Sequence, residues 1–465
     1  MRFQKLLIGA AALTCGSVIS AQSIHIGGYV DYTSTVAAQQ IQKSNTDADW
    51  DAGEVMSEFG PSQNGIHFIN LDVNIPNVDF HAGMWLGSGL GPWYGSEGNM
   101  MYPDRTKDEV EPGVMNQMYL VTHFFNDQMR FYSGNFAGNG WSAGYVNGGY
   151  VSAQSHVSAL AMRGSSGDNY GSNDSAFTGL EFLPTAVTGL KFITGLPIAP
   201  FTDSYEKFNN WEHLCKAVKV MAQYKWLLYN VTFNAGVRPN TYGTSSKRDV
   251  GGDYTDSLFG EAFFQVDMPS LFYGFLTNFS YDIRWRDVEE SGENLVDGKD
   301  WSKTAFSHMI VWSAKTTLVP GWTICVEDAA GFYDSHYISI NERAFYNRIG
   351  FSAVHPLDGK PYEFGFQAYL MYGQDANGTM MSRDDAYCSD LIGFSWNFMN
   401  QGDEPTPKSG SAGRYIGGYV YPYIQKNFAN GNAKLGVELN YYHAETTNTV
   451  QNFVWRVPLG LTFWW

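Results

Sequence analysis

Apolar and polar residues alternate one by one over stretch after stretch of this chain. Ile69, Leu71, Val73 and Ile75 alternate with Asn70, Asp72 and Asn74. After Pro76-Asn77 the chain returns with Val78, Phe80, Ala82, Met84 and Leu86 against Asp79, His81, Gly83 and Trp85. Tyr229, Val231, Phe233, Ala235 and Val237 oppose Asn230, Thr232, Asn234, Gly236 and Arg238, and Leu435, Val437, Leu439 and Tyr441 oppose Lys434, Gly436, Glu438 and Asn440. A period of two is the signature of a β-strand with one greasy face and one wet face. The pattern predicts an all-β chain of antiparallel hairpins.

The connections between these strands are of two kinds. Short turns recur at 75–78, 125–129, 183–187, 268–271 and 319–322, four of them with proline, which fixes φ and needs no ladder partner. Trp226, Phe272, Tyr273 and Trp322 gather at such turns. Long polar stretches run over 35–63, 88–113, 239–256, 287–303 and 375–388. About 16 to 20 strands fit the chain, with 18 the best estimate. The bookkeeping does not close: short turns follow even strands early and odd strands later, with the ambiguity in 137–176.

Both ends and the composition add a location. Met1-Arg2-Phe3-Gln4-Lys5, the apolar run Leu6 to Leu13 and the small-residue exit Ser17 to Ala21 make residues 1–21 a secretory signal peptide, too short to span a bilayer. Ala12-Leu13-Thr14-Cys15 fits a lipoprotein site poorly. No later run of about 18 apolar residues supplies a spanning helix. Aromatics reach 16% and glycines number 50, while mean hydropathy is mildly polar. That mixture suits a membrane barrel, with aromatic girdles, a crowded wall and a polar lumen. The net charge of −17 becomes −19 once Arg2 and Lys5 are removed, which excludes a general nucleic-acid binder. Cys215, Cys325 and Cys388 remain, so at most one disulfide forms, with Cys215 and Cys388 the candidate pair.

The last strand carries the one specific motif. Val457, Leu459, Leu461, Phe463 and Trp465 occupy alternate positions, with Gly460 three residues before Phe463. A terminal aromatic, an aromatic two places back and a glycine three before that resemble the C-terminal signal of bacterial outer-membrane β-barrels. Pro458 departs from the usual polar residue and cannot donate to a ladder. The resemblance implies a transmembrane antiparallel β-barrel over 22–465, with short periplasmic turns and long extracellular loops. It is similar to porins at the level of pattern. It also implies that Gly460, Phe463 and Trp465 form the assembly signal, and that the partners are outer-membrane lipid and the barrel-assembly machinery. Self-association into a homo-oligomer is left open.

Function then follows from barrel size, since 16 to 18 strands leave a wet channel. Passive passage of small hydrophilic solutes is the expectation. Candidate pore-lining residues are Asp72, Asp79, Asp282, Glu363 and Glu438 against Arg130, Lys191, Arg238, Arg284 and Arg286, a mixed set whose transverse field favours polar solutes. A substrate-specific transporter for sugars or hydrophobic compounds would use Trp85, Tyr369 and Tyr442 as a stacking track, and a surface adhesin would work through its loops. No nucleophile elbow, phosphate loop, His-Glu-x-x-His or paired-cysteine site is present, so no enzyme and no cofactor are expected. His67, His81 and His123 fall within strands as lumen-facing or hydrogen-bonded imidazoles. Asp47, Asp49, Asp51 and Glu58 match positions one, three, five and twelve of a calcium loop, with Gly53 one place late, against the plainer reading of a solvated acidic loop. Finally, the glycine-rich segment 138–175, with an Ala- and Ser-rich centre, reads either as a segment folded into the lumen that narrows it or as a surface loop or extra hairpin.

Overall fold

In the computed structural model the described residues are 23–44, 49–53, 55–60, 68–85, 114–135, 176–197, 211–216, 218–238, 259–268, 278–290, 301–333, 344–375, 413–445 and 450–465. The signal peptide and 138–175 lie outside them.

The strands are β1 (Ser23–Ser44), β2 (Asp51–Ala52), β3 (Met56–Gly60), β4 (Phe68–Ile75), β5 (Val78–Trp85), β6 (Val114–Phe124) and β7 (Met129–Asn135). They continue with β8 (Ala176–Phe182), β9 (Leu190–Pro197), β10 (Lys219–Trp226), β11 (Val231–Arg238), β12 (Phe259–Asp267), β13 (Asn278–Glu290) and β14 (Trp301–Thr316). The last are β15 (Thr323–Tyr333), β16 (Ala344–Pro356), β17 (Tyr362–Asp375), β18 (Gly413–Phe428), β19 (Gly431–Gly436), β20 (Glu438–Glu445) and β21 (Val450–Trp464). A short helix, α1 (Trp211–Lys216), lies between β9 and β10 and carries the exposed Cys215. Cys388 lies outside the described residues.

All 21 segments belong to one antiparallel sheet that closes on itself. The seam is a ladder of fifteen residue pairs between β1 and β21, from Tyr29 opposite Trp464 to Ser44 opposite Val450. On its other edge β1 pairs with β4, β3 and β2 in turn, so these three share one wall position. Likewise β19 and β20 together bridge β18 and β21. Counted this way the ring has eighteen wall positions among the described residues. Closure leaves no sheet edge, so every wall strand has a partner on both sides.

Two prolines explain why one position is split. Pro422 on β18 accepts from the Val437 N–H at 3.1 Å but has no N–H to return. Pro458 on β21 flanks the same break from the other side, where the ladder runs Leu435 to Leu459 and resumes at Glu438 with Arg456. Pro458 also faces a bulge in β1. It stands opposite Thr35, the next pair is Ala37 with Val457, and Val36 is left over. The departure in the closing motif is thus absorbed where both neighbours are irregular.

The register regularises the turns. The five short turns read from the sequence each follow an even wall position, and residues 23 and 465 lie at the same end as these turns. The direct ladder of Met129–Asn135 with Ala176–Phe182 makes 136–175 a single long connection, leaving no wall strand between. One expectation is corrected. Residues 35–63 are not a polar loop: β1 runs through to Ser44, and β2 and β3 return along it. Residues such as Gln39, Gln40 and Lys43 hide the strand from a hydrophobicity reading, and pairing with β21 holds it.

Alternation then sorts the two faces. Exposed apolar side chains mark the outside: Met118 and Leu120 on β6, Phe192 on β9, Val220 on β10, Phe364 and Leu370 on β17, Val420 and Ile424 on β18, Leu439 and Tyr441 on β20. The intervening positions are polar or buried and face the lumen.

Candidate pore lining

The lumen wall is built where β4 to β9 place polar residues at alternate positions. Asp72 accepts from His81 Nδ1 at 2.6 Å and from Asn70 Nδ2 at 2.7 Å, while Tyr119 stacks on the His81 ring at 4.7 Å. His123 lies between two carboxylates, its Nε2 2.7 Å from Asp79 and its Nδ1 2.5 Å from Asp127. Arg130 grips both carboxylate oxygens of Asp127, with its Nε at 2.6 Å, and reaches Glu181 at 3.3 Å. Asp127 sits in the turn 125–128, outside the spanning strands. The Arg130 guanidinium, followed by His123, lowers its carboxyl to about 2.

Glu181 is buried and fully engaged. It takes the Tyr132 hydroxyl at 2.7 Å and the Lys191 ammonium at 3.2 Å in addition to Arg130. Two cations and a phenol offset the cost of burying one carboxylate. Beyond Lys191 the same row continues through Gln223, whose Nε2 donates to Asn234 Oδ1 at 2.7 Å. Gln265 stands opposite Asn234. Among the described residues, Asn234 Nδ2 and both amide atoms of the buried Gln265 have no hydrogen-bond partner. Buried amides without partners are uncommon, and these present donors and an acceptor to water or solute. Val121, Ile193, Met221 and Phe263 form an apolar cluster beside the row.

A second lumenal group sits on β17 to β21, on the other side of β1 from the first. Arg456 donates from Nε and from a terminal nitrogen to Glu438 Oε2, each at 2.6 Å, and both side chains are buried. Tyr421 and Tyr423 are buried nearby, with Lys434 Nζ 4.7 Å and 3.9 Å from their ring centroids. Glycine makes room for them: a Cβ on Gly365 would fall inside the Tyr423 ring, and one on Gly436 would collide with Tyr421.

Of the sequence-predicted lining, Asp72, Asp79, Arg130, Lys191 and Glu438 stand in these networks. Glu363 accepts from Asn427 at 3.2 Å. Arg238 and Arg284 both pair in register with Glu261, Asp282 pairs with Phe263, and Arg286 with Phe259. Trp85 ends β5 opposite Phe68, Tyr369 pairs with Tyr419, and Tyr442 pairs with Gly417. Sequence reading missed Asp127, Glu181, Tyr132, Tyr421, Tyr423, Lys434 and Arg456. Arg456 was legible as the wet partner in a strand read only for its apolar positions. The calcium candidate is spread along the returning hairpin. Asp49 and Asp51 are exposed, Asp51 pairs with Gln42, Glu58 pairs with Thr35, and Asp47 lies outside the described residues. Among the described residues no cluster of three ligand side chains could hold a metal ion.

The closing motif is placed at the seam. Gly28 and Trp465 exchange two backbone hydrogen bonds of 3.0 Å, and Phe463 stacks on Phe428 at 6.0 Å. A Cβ on Gly460 would make only ordinary contact with Lys434.

No protein-family model matches the chain, and no curated protein matches it. Solved structures do. OmpT of Vibrio cholerae in a trimer form is 10% identical, with 95% of this chain and 99% of that chain covered and a TM-score of 0.38. OccAB4 of Acinetobacter baumannii is 7% identical over 97% and 100%, with a TM-score of 0.43. OprB of Pseudomonas putida is 10% identical over 95% and 94%, with a TM-score of 0.42. The barrel assignment rests on the closed ladder rather than on likenesses this distant. A closed barrel with an apolar exterior, a polar interior and short turns at one end is the architecture that spans outer membranes, and the described residues of this chain form a closed antiparallel barrel of that kind.

Proposed function

We propose that the protein is a porin-like channel through which small hydrophilic solutes diffuse passively. The observation that carries this reading is the ring of eighteen wall positions closed by the β1–β21 ladder, because a barrel of that size is too wide for its own wall side chains to fill. The lining supports it. Carboxylates, guanidiniums, imidazoles and amides face inward, and charges of both signs stand beside one another, as in Glu181 with Arg130 and Lys191. Such a wall suits water and polar solutes over apolar ones. It uses no bound group, and we propose no catalytic step.

A substrate-specific channel is the second reading, favoured by the register that sets Tyr369 opposite Tyr419 and places Tyr442 opposite the adjacent lumenal position Gly417. Liposome swelling separates the two. Flux that rises linearly with solute concentration and falls with solute size supports diffusion, saturable flux supports the specific channel, and no flux assigns the barrel to adhesion.

A further inference from the structure

The short-turn rim is uneven. On the β16–β21 side the outer apolar belt ends in Tyr362, Phe428, Phe463 and Trp465. Lys426 Nζ lies 5.7 Å from both the Tyr362 and Phe428 ring centroids, an amphipathic cation at a girdle of aromatics. Beyond that girdle the turns are polar, with Asp358-Gly359-Lys360 after β16 and Ala429-Asn430 after β18. This is a membrane boundary followed by water.

On the β6–β11 side the belt does not stop at the strand ends. Phe124, Phe182 and Trp226 are the last outward aromatics of their strands, and each of the three successive turns beyond them exposes a large apolar side chain among its polar residues. Phe125 is 72% exposed, Leu227 58% and Leu228 77%, with Val187 exposed in the turn between. The β14–β15 turn repeats the pattern with Leu318 at 57% and Val319. These tips also satisfy much of their own backbone. Gln128 bonds Phe125, Val187 bonds Pro184, Tyr229 bonds Trp226 and Trp322 bonds Val319, each N–H to the carbonyl three residues back. In these four turns Asp127 is the one carboxylate or cation, and it is tied to Arg130 and His123. Apolar side chains, internally bonded backbone and a neutralised charge are what immersion requires.

We infer that the short-turn rim from β6 to β11 is a lipid-inserted edge, with Phe125, Val187, Leu227 and Leu228 in the headgroup–acyl boundary, one turn deeper than the β16–β19 rim. This rests on the outer-membrane reading above. Lipid is favoured over a docked protein because exposed apolar side chains carry on from the outward strand ends into each of these tips. In a chain carrying C215S, C325A and C388S, single cysteines at Leu228, Asp358 and the mid-belt Leu370 are labelled with a nitrobenzoxadiazole probe. The labelled chains enter phosphatidylcholine–phosphatidylglycerol vesicles with or without doxyl-labelled lipid. Leu228→Cys is expected to lose fluorescence to doxyl lipid as deeply as Leu370→Cys, with blue-shifted emission, while Asp358→Cys stays bright and red-shifted. If only Leu370→Cys is quenched, Leu228 faces water or a protein partner and the inference is overturned, whereas loss of quenching at both sites overturns the membrane reading itself. Phe125→Cys gives the same readout should Leu228→Cys fail to assemble.

Discussion

Arg456 holds Glu438 through two of its nitrogens, both 2.6 Å from the same carboxylate oxygen, on neighbouring strands next to the barrel seam. Removing one member leaves the other charged and buried, which costs about 3–5 kcal/mol. Arg456→Met alone therefore lowers the urea midpoint of the folded barrel strongly. The double change Arg456→Met with Glu438→Leu recovers most of the loss. A single change without effect would show that the pair does not hold the seam.

Asp127 gives a second test, with a sign fixed by its environment. Its carboxyl is lowered to about 2 from the ordinary 3.8, chiefly by Arg130. The turn's contribution to stability is thus fully present above pH 4 and is lost as pH falls through about 2. Asp127→Asn lowers the thermal midpoint above pH 4 and converges with the unaltered protein near pH 2. Parallel curves across that window would mean that Asp127 is not held by its neighbours.

Deleting Phe463 to Trp465 removes the Phe428 stack and the paired hydrogen bonds between Trp465 and Gly28. The seam then frays at the turn end. Insertion fails, and heat-modifiable protein disappears from membrane fractions. Normal surface levels of the truncated chain would contradict the role given to this terminus.

The segment 138–175 lies outside the described residues, but its anchors are fixed by the ladder of β7 with β8. Since no wall strand intervenes, in-frame removal of 141–163 leaves the ring intact. We propose that the segment narrows the lumen, so the deletion raises single-channel conductance. Unchanged conductance would assign it to the surface.

How far the sequence foretold this structure depends on where the information lay. Strands β4, β5 and β11 were legible because their own alternation writes them. The half of β1 beyond Thr35 was not, because Gln39, Gln40 and Lys43 mask the period and it is pairing with β21, β2 and β3 that holds it. The turn parity failed for a related reason: how many wall strands 137–176 contributed could not be read until β7 was seen to pair directly with β8. At the lining, positions were readable from period two, whereas partners were not. Nothing local says that Glu181 meets Arg130, 51 residues away, or that Gly365 clears space for Tyr423.

Purified protein added to a planar bilayer tests the channel reading most directly. The account predicts discrete, ohmic conductance steps, with a mild cation preference, set by the net negative charge of the chain, that fades with salt as that charge is screened within a Debye length of about 10 Å at 0.1 M. Heat-modifiable, correctly inserted protein that leaves the bilayer silent would contradict it.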